Sequence, residues 1–416
     1  MLPAYRIIKA RTIVIVVLFT AIGLGGTLCH LRSRTDTPSL IRNQEGKAFA
    51  GDASCRSCHA AICQRQSSTA HSLDSRPATG ESIRGSFDSG KNRYIYTPGM
   101  EVKLEQRNHR YFQAALINGK ETRREAFDIV IGSGRKGQSY LYWDSGKLFQ
   151  LPVSYYAAAN SWCNSPGYRN DTILFNRRVP SYCLECHSTY VQAAYAGPAG
   201  QGDFFDPSQV IYGIGCERCH GPGAEHVAFH QSHPDVKTGY AITNVRHLGR
   251  QQRLDACALC HSGARIPLKP AFQFRTGDTL EHFSLPNYSD DRVARLDVHD
   301  NQYGLLTASK CFRLSQMDCS SCHNVHNDEV GSPALFSQRC MTCHNSATHT
   351  TCTLKPIAGL VLSANCIDCH MPALPSQKIL LTLSGAVSPI HNLVRMHRVA
   401  IYPESTKAYL EKMKTQ

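Results

Sequence analysis

The sequence is short of acidic residues, and it contains no basic run interleaved with aromatic residues. Lysine and arginine total 45, against 32 aspartate and glutamate residues, so the formal net charge is +13. Such an excess is typical of proteins that bind nucleic acid or a membrane surface. Because basic and aromatic residues are not interleaved, the sequence argues against nucleic-acid binding. The positive charge therefore needs another explanation.

Long hydrophobic runs are also scarce. Residues 12–29 form an uncharged run of eighteen residues, with Arg11 before it and Arg32 soon after it. The run reaches the lower limit for a membrane-spanning helix, and it also suits the core of a signal peptide. No small-x-small cleavage site follows closely. We therefore expect an exported chain that residues 12–29 anchor to the inner membrane, or a secreted chain if that segment is cleaved.

Cysteine, in contrast, is abundant, and fourteen of the nineteen cysteines belong to seven C-x-x-C-H groups. One such group could be half of a zinc site or a redox pair, but zinc ribbons need no histidine directly after each pair. All seven groups carry that histidine, which is the attachment signature of a c-type haem. The groups are Cys55, Cys58 and His59; Cys183, Cys186 and His187; Cys216, Cys219 and His220; Cys257, Cys260 and His261; Cys319, Cys322 and His323; Cys340, Cys343 and His344; and Cys366, Cys369 and His370.

The spacing within each group suits covalent haem attachment. A C-x-x-C turn places two sulfurs on one side of a short helical segment, and the next histidine points under the ring to ligate iron. The sequence therefore predicts seven covalently attached haem c groups, about one per 59 residues. Much of the apolar core would then be porphyrin. About fourteen propionates, two per ring, would pair with arginine and lysine and would account for the basic excess.

Histidines outside the groups could supply the second axial ligands. His326 lies three residues after His323, on the same face of a turn, so one iron cannot take both from opposite sides. His326 is therefore either free or a ligand to a neighbouring haem. The same reasoning applies to His226, which follows His220 across a Gly-Pro-Gly turn. His230, four residues after His226, is kept only as a reserve ligand.

Three further histidines are candidates for distal ligands. His71 follows the first group by twelve residues, and His299 and His397 stand among apolar residues, which suggests burial. Methionine, the other common axial ligand, is scarce, and Met317 is the one plausible candidate. Bis-histidine ligation is therefore favoured, and it implies low reduction potentials. Taken singly, the remaining histidines are more typical of the protein surface, namely His109, His233, His247, His282, His349 and His391.

Five cysteines lie outside the attachment groups. Cys311 and Cys352 bracket the fifth and sixth groups, and a disulfide between them is the first choice of pair in an exported protein. Cys163 could be a buried thiol or an additional ligand, and the buried thiol is favoured. The others are Cys29 and Cys63.

The order of motifs predicts the organisation of the chain. Apolar and polar residues alternate over residues 85–160, and Asn118 followed by Gly119 indicates a hairpin, so we expect a small antiparallel β unit there. The expected segments are a signal or membrane anchor over residues 1–31, a linker over 32–50, a first haem segment over 51–84, a β-rich insert over 85–175, a segment for haems two to four over 176–275, a segment for haems five to seven over 276–403, and a helical tail over 404–416.

Several stretches resemble multihaem cytochromes of the cytochrome c-554 type, a family related to hydroxylamine-oxidoreductase-like proteins. They include GDASCRSCHAAICQRQSSTAH, IGSGRKGQSYLYW, SWCNSPGY, CLECHSTY, GCERCHGPGAEH, CSSCHNVH, and CIDCHMP followed by HRVAIYPE, and together they span residues 51–403. The resemblance implies a mostly α fold with extensive loops wrapped around a haem chain, and with the β unit inserted. It also implies distal ligands at His71, His226, His299, His326 and His397.

The resemblance has limits that bear on function. Seven haem groups differ from the four of the type member, and the chain lacks the C-x-x-C-K group that pentahaem nitrite reductases use at their catalytic haem. We therefore expect a periplasmic electron carrier that exchanges single electrons with a quinol-oxidising membrane complex or with other cytochromes. The alternative is an oxidoreductase in which one haem keeps an open position for a small nitrogen or sulfur compound. Nothing in the sequence specifically supports a purely structural role.

Overall fold

The computed structural model describes residues 40–196, 203–288, 290–345, 347, 351–354 and 361–414. Residues Arg42–Gln416 form one compact unit. The predicted anchor at residues 12–29 lies outside the described residues, as do Cys29 and His349. Within the described part of the chain, no helix combines the length and the apolar character that a bilayer crossing requires.

The helices are short, and the expectation of a mostly α fold is wrong. The chain is 28% helix and 28% strand. An attachment group needs only one or two turns of helix to present its two sulfurs, so seven groups do not require long helices. The helices are α1 (Asp52–Gln66), α2 (Ser181–Glu185), α3 (Cys216–His220), α4 (Ala224–Ser232), α5 (Arg250–His261), α6 (Gln302–Thr307), α7 (Lys310–Arg313), α8 (Pro333–Met341), α9 (Cys366–His370) and α10 (Pro403–Lys414).

The strands form two larger sheets and three separate hairpins. One sheet is a four-stranded antiparallel meander, β2-β3-β4-β5, and the other has seven strands built around β7. The separate pairs are β12 with β13, β14 with β15, and β16 with β17. The strands are β1 (Ser75–Pro77), β2 (Arg93–Thr97), β3 (Met100–Arg107), β4 (Arg110–Ile117), β5 (Lys120–Ala126), β6 (Ile129–Ile131), β7 (Gly137–Asp144), β8 (Lys147–Gln150), β9 (Val153–Tyr156), β10 (Ser161–Asn164), β11 (Arg177–Arg178), β12 (Ser188–Ala196), β13 (Asp203–Tyr212), β14 (Arg265–Pro267), β15 (Ser284–Pro286), β16 (Ala373–Leu381) and β17 (Ile390–Arg395).

The two larger sheets enclose the main apolar core. The predicted hairpin is confirmed, since Asn118 and Gly119 have φ values of 48° and 77° and connect β4 to β5 in the left-handed turn geometry that this dipeptide favours. The buried Gln113 side chain ties the sheets together, because its Nε2 donates to the carbonyl of Val153 at 2.7 Å and its Oε1 accepts from the amide of Val153 at 3.0 Å. The surrounding core residues are Ile83, Tyr94, Tyr96, Val102, Leu104, Ala115, Phe127, Val130, Tyr140, Tyr142, Leu151, Val153, Trp162 and Phe175. We call this set the β core.

The hairpin of β16 and β17 packs against the same region from the far end of the chain. The Tyr94 hydroxyl donates to the carbonyl of Thr382 at 3.1 Å, and Cys163 forms an isolated β-bridge with Leu383. Cys163 is 1% exposed, and burial raises the pKa of its thiol to about 12. The prediction of a buried thiol at this position is therefore confirmed. The sequence had not predicted this contact between its middle and its C-terminal part.

Candidate haem-binding sites

The attachment groups stand on single turns of helix. Two groups form the five-residue helices α3 and α9 in full, and the fourth group occupies the last turn of α5. Cys319 begins a 3₁₀ turn that ends at Ser321, and its N-cap Asp318 accepts a hydrogen bond from the amide of Ser320 at 2.9 Å. In such turns residues three apart lie on one face, so each pair of sulfurs is directed to the same side. The local structure thus fits the chemistry that the spacing predicts.

Cysteines from different attachment groups lie in contact with one another. Sγ of Cys55 and Sγ of Cys216 lie with a carboxylate oxygen of Asp52 in a cluster whose atoms are all within 4.8 Å of one another. The cluster has the composition of a small metal site, but both thiols belong to attachment groups. Contact with Cys55 raises the pKa of the Cys216 thiol. The first and third groups are therefore neighbours in space.

Two more contacts of this kind involve the second, fourth and fifth groups. The thiols of Cys257 and Cys319 are hydrogen-bond partners, which brings together the fourth and fifth groups. The thiols of Cys186 and Cys260 are also partners, so the second group lies beside the fourth. These contacts therefore join the first group to the third, and the fourth group to both the second and the fifth.

Three imidazole pairs have the spacing expected of two ligands on one iron. A metal–imidazole bond is about 2 Å long and the ring centre lies about 1 Å beyond the nitrogen, so two histidines on opposite sides of an iron have ring centres about 6 Å apart. The ring centres are 6.0 Å apart for His71 and His261. They are 6.2 Å apart for His220 and His326, and 6.4 Å apart for His323 and His397. Each pair joins an attachment-group histidine to a predicted distal ligand.

The distal members of these pairs are held as neutral rings. Burial lowers the pKa of His71 and of His326, and it lowers the pKa of His397 to about 4. Nδ1 of His397 lies 3.0 Å from the carbonyl oxygen of Arg395, which assigns the ring proton to Nδ1 and leaves Nε2 as a lone-pair donor. A neutral imidazole oriented by a carbonyl is the form in which histidine binds a metal.

Two other predicted distal ligands have different neighbours. The His226 ring lies 4.6 Å from that of His230, and its Nδ1 is 2.9 Å from the carbonyl oxygen of Tyr240. Nε2 of His230 is buried and has no hydrogen-bond partner among the residues that the structure describes. His299 is half-buried, and burial lowers its pKa. Among the described residues neither His226 nor His299 forms a ring pair with an attachment-group histidine, and their ligation stays a prediction.

The hydrogen-bond acceptors of the attachment-group histidines differ in charge. Nδ1 of His220 is 2.9 Å from the carbonyl of Thr243, and Nδ1 of His370 is 2.9 Å from the carbonyl of Ala400. Nδ1 of His261 is 3.3 Å from Oε1 of Gln302. At His187 the acceptor is instead Oδ2 of Asp74, at 2.8 Å. All of these contacts leave Nε2 available to a metal.

Glu217, a charged residue inside the third attachment group, connects two segments of the chain, and the sequence analysis did not predict this role. Glu217, 4% exposed, accepts hydrogen bonds from the amides of Ala50, Gly51 and Gly223 at 2.8, 2.9 and 2.6 Å. It therefore binds the start of the first haem segment to the Gly-Pro-Gly turn of the third group. The sequence did contain a signal for this role. Glu217 lies between Cys216 and Cys219, and because both thiols face the haem side, its carboxylate must point away from that side.

The leftover cysteines do not form the predicted bond. Cys311 and Cys352 are both free thiols, so the expected disulfide between them is wrong. Cys311 has Cys343 of the sixth group as a neighbour, whereas Cys352 lies near Cys366 and Cys369 of the seventh. Bracketing two groups in sequence did not bring the two thiols together, because each packs beside a different group.

Comparisons of the sequence with known proteins find similarity to c-type cytochromes. Residues 166–221 match the family described as cytochrome c554 and c-prime. The chain is 24% identical over 243 residues to the C-type polyheme cytochrome OmcC of Geobacter sulfurreducens, an alignment that covers 58% of this chain and 27% of that protein. The chain thus spans about a quarter of the length of that relative.

The structure also resembles a solved cytochrome. It superposes on the crystal structure of the outer cell wall cytochrome OcwA with a TM-score of 0.53 at 16% identity, covering 86% of this chain and 81% of the other. At that identity the match speaks for the fold. Together with the attachment groups, these findings show that the chain is a multihaem c-type cytochrome with covalently bound haem c.

Proposed function

We propose that this chain carries single electrons through seven haem c groups, most of them ligated by two histidines. The observation that carries the proposal is the set of three imidazole pairs at 6.0–6.4 Å. Haem iron supplies reversible one-electron chemistry when it is bound. What the chain contributes is attachment, axial ligation and spacing.

Cross-ligation supports close packing of the seven sites. His326 follows the fifth attachment group but faces His220 of the third, and His71 follows the first group but faces His261 of the fourth. A short segment, such as that from His323 to His326, thereby supplies a histidine to each of two haem sites. Because this segment is short, the two sites are held close together, as electron transfer through a chain of haems requires. The thiol contacts between groups support the same arrangement.

We further propose that the chain works outside the cytoplasm, in the periplasm or at the outer surface. The structurally similar OcwA is an outer cell wall cytochrome, and the C-x-x-C-H groups suit an exported protein in which haem is attached. Its partners would be redox proteins, either a quinol-oxidising membrane complex or other cytochromes. Anchoring through residues 12–29 remains part of this proposal.

A second candidate is an oxidoreductase with one open haem, acting on a small nitrogen or sulfur compound. The observation in its favour is that His59, His187 and His370 have no ring partner at ligation spacing among the described residues. An open position on one of these sites would admit a small molecule.

One set of measurements separates the two candidates. Intact mass and pyridine haemochrome analysis count the haems, and we expect seven. Electron paramagnetic resonance of the oxidised protein and carbon monoxide binding to the reduced protein count the open sites. Seven low-spin haems that do not bind carbon monoxide support the carrier and exclude the enzyme. A high-spin, carbon monoxide-binding fraction supports the oxidoreductase, and fewer than seven haems contradicts the proposed count.

A further inference from the structure

The acceptor at His187 differs from the acceptors at the other attachment-group histidines with an assigned partner. Oδ2 of Asp74 lies 2.8 Å from Nδ1 of His187, and the side chains of Asp74 and His187 are 24% and 41% exposed. His220 and His370 face backbone carbonyls, and His261 faces an amide oxygen. His187 is therefore the member of this set whose ring proton is shared with a full negative charge.

The backbone on both sides holds Asp74 in place. Its amide donates to the carbonyl of His71 at 3.1 Å, and its carbonyl accepts from the amide of Gly132 at 2.5 Å. Strand β1 begins at the next residue, so the carboxylate is carried on a fixed edge of the seven-stranded sheet. The position of Asp74 thus follows from sheet pairing and is independent of the histidine that it contacts.

The direct hydrogen-bond partner of the Asp74 carboxylate is His187 and not the nearby Arg76. Arg76 lies two residues away, but its guanidinium donates to the backbone carbonyls of Leu73 and Ser82 at 2.6 and 3.2 Å. In the described part of the chain, the ion-pair partner of Asp74 is His187. The charges of Asp74 and Arg76 interact through space, but the direct contact of the carboxylate is with the imidazole.

A carboxylate bonded to a metal-ligating imidazole has a defined electronic effect. It draws the Nδ1 proton, gives the ring imidazolate character, fixes its orientation and raises its basicity as a ligand. A more basic axial ligand stabilises the ferric state relative to the ferrous state, and so lowers the reduction potential. A neutral carbonyl or amide acceptor orients the ring in the same way but adds no charge.

We propose that Asp74 is a positioning and tuning residue for the haem attached at Cys183 and Cys186. It lowers the reduction potential of that haem relative to the potential that a neutral carbonyl or amide acceptor at the same nitrogen would give. The inference rests on the proposed function and deepens it by describing one step of the electron path. The second group contacts the fourth through Cys186 and Cys260, so the haem at His187 has the haem at His261 as a neighbour. The haem at His187 is then made more reducing, and its electrons flow on to its neighbour at His261.

The direct test is the Asp74→Asn variant in the full, haem-loaded chain. Asparagine is isosteric and keeps an acceptor for Nδ1, so the change removes the charge while preserving the shape. In a spectroelectrochemical titration, we expect one midpoint to rise by an amount equal to a tenfold or larger change in the ferrous/ferric ratio, about 59 mV. Unchanged midpoints in a fully loaded variant overturn the inference. The haem at His261 should shift less, since Asp74 acts on His261 and His71 only through space.

A variant that adds a negative charge at a second site tests whether a carboxylate beside a ligating histidine lowers the reduction potential. Gln302→Glu places a carboxylate against Nδ1 of His261, where Gln302 now lies at 3.3 Å. We expect the midpoint of the haem at His261 to fall while that of the haem at His187 stays in place. No shift in Gln302→Glu, in a protein with all haems attached, counts against the proposed mechanism.

A second charge-removing variant covers a failure of Asp74→Asn to mature. Asp74→Ser also removes the carboxylate and leaves every C-x-x-C-H group unchanged, so one midpoint should again rise. Unchanged midpoints in this variant, with all haems attached, overturn the inference. Peptide mapping of the unsubstituted protein by mass spectrometry tests the proposed function separately. A peptide containing Cys183 and Cys186 that carries no haem contradicts the proposed seven-haem electron path, whereas attached haem without a potential shift in Asp74→Asn refutes only the role of Asp74.

Discussion

The β core and the attachment-group region are built on different principles. The β core buries fourteen apolar residues in one cluster, whereas the main apolar cluster around the fourth group consists of Ala258, Leu259, Phe274 and Leu280. In the attachment-group region the protein's own side chains leave large apolar residues uncovered, among them Leu314 at 75% exposure and Val330 at 60%. The first region is stabilised by burial of its own side chains. The second consists of short helices and turns that depend on the groups they bind.

The strongest test of this difference is to withhold the haem. When the chain is produced in a host that lacks the c-type maturation machinery, we expect the attachment-group region to lose its structure while the β core keeps it. Hydrogen exchange should remain slow in β3 and β4 and become fast in α5 and α8. The matured protein, measured in parallel, should be protected in both regions. Equal loss of protection in both regions would show that the β core does not fold independently.

A cavity in the β core should cost stability without touching the haems. Leu104 is 0% exposed, and Leu104→Ala should lower the free energy of unfolding by about 2–5 kcal/mol because it removes buried surface and leaves a void. Denaturant titration of tryptophan fluorescence measures the change, and the visible spectrum should stay the same. Val387→Ala is the control, because Val387 lies between β16 and β17, and at 95% exposure its substitution should change stability by less than about 0.5 kcal/mol. Equal losses in the two variants would contradict the comparison.

Removing one distal histidine should alter one site and leave the fold intact. His326→Ala should convert the haem at His220 to the high-spin form, roughly one seventh of the total if seven haems are bound, while all haems stay covalently attached. Paramagnetic resonance and intact mass measure the two quantities. His233→Ala is the control, because the His233 ring is stacked on Phe229 at 4.4 Å and is exposed. A high-spin signal in the control, or none in His326→Ala, would break the assigned pair.

The smallest expected effect concerns an ion pair between the fifth and sixth groups. Arg339 donates to Glu329 at 2.8 and 2.5 Å, and this hydrogen bond lowers the pKa of the Glu329 carboxyl. Because the folded pKa lies below the ordinary value, the pair stabilises the protein above about pH 4.3 and the stabilisation is lost as the pH falls through the folded pKa. Arg339→Gln should therefore cost about 1 kcal/mol at neutral pH and less in acid.

Unfolding titrations at neutral and acidic pH measure that difference. Lys120→Gln is the control, because Lys120 is exposed and forms no ion pair within the described part of the chain, so its substitution should change stability little at either pH. A loss in Arg339→Gln that does not shrink with falling pH would show that packing, and not charge, gives Arg339 its effect.

Several parts of the structure could be predicted because they depend on neighbours in sequence. Asn118 and Gly119 form a tight turn because both adopt positive φ readily, and an attachment group needs only its own five residues. The balance of helix and strand was predicted wrongly for a related reason. Repeated C-x-x-C-H groups suggest helices, but each one uses only a single turn, and the segments between them pair as hairpins.

The sequence by itself determined the chemistry of this protein, since thiol spacing and the following histidine are local and survive any arrangement of the rest. Only the tertiary structure decided which partners meet. His326 faces His220 and Asp74 faces His187 because strands and turns far apart in the chain converge. Cys311 and Cys352 stay apart for the same reason. A contact between residues distant in sequence depends on how whole helices and strands pack, and the spacing of residues within a single motif does not determine that packing.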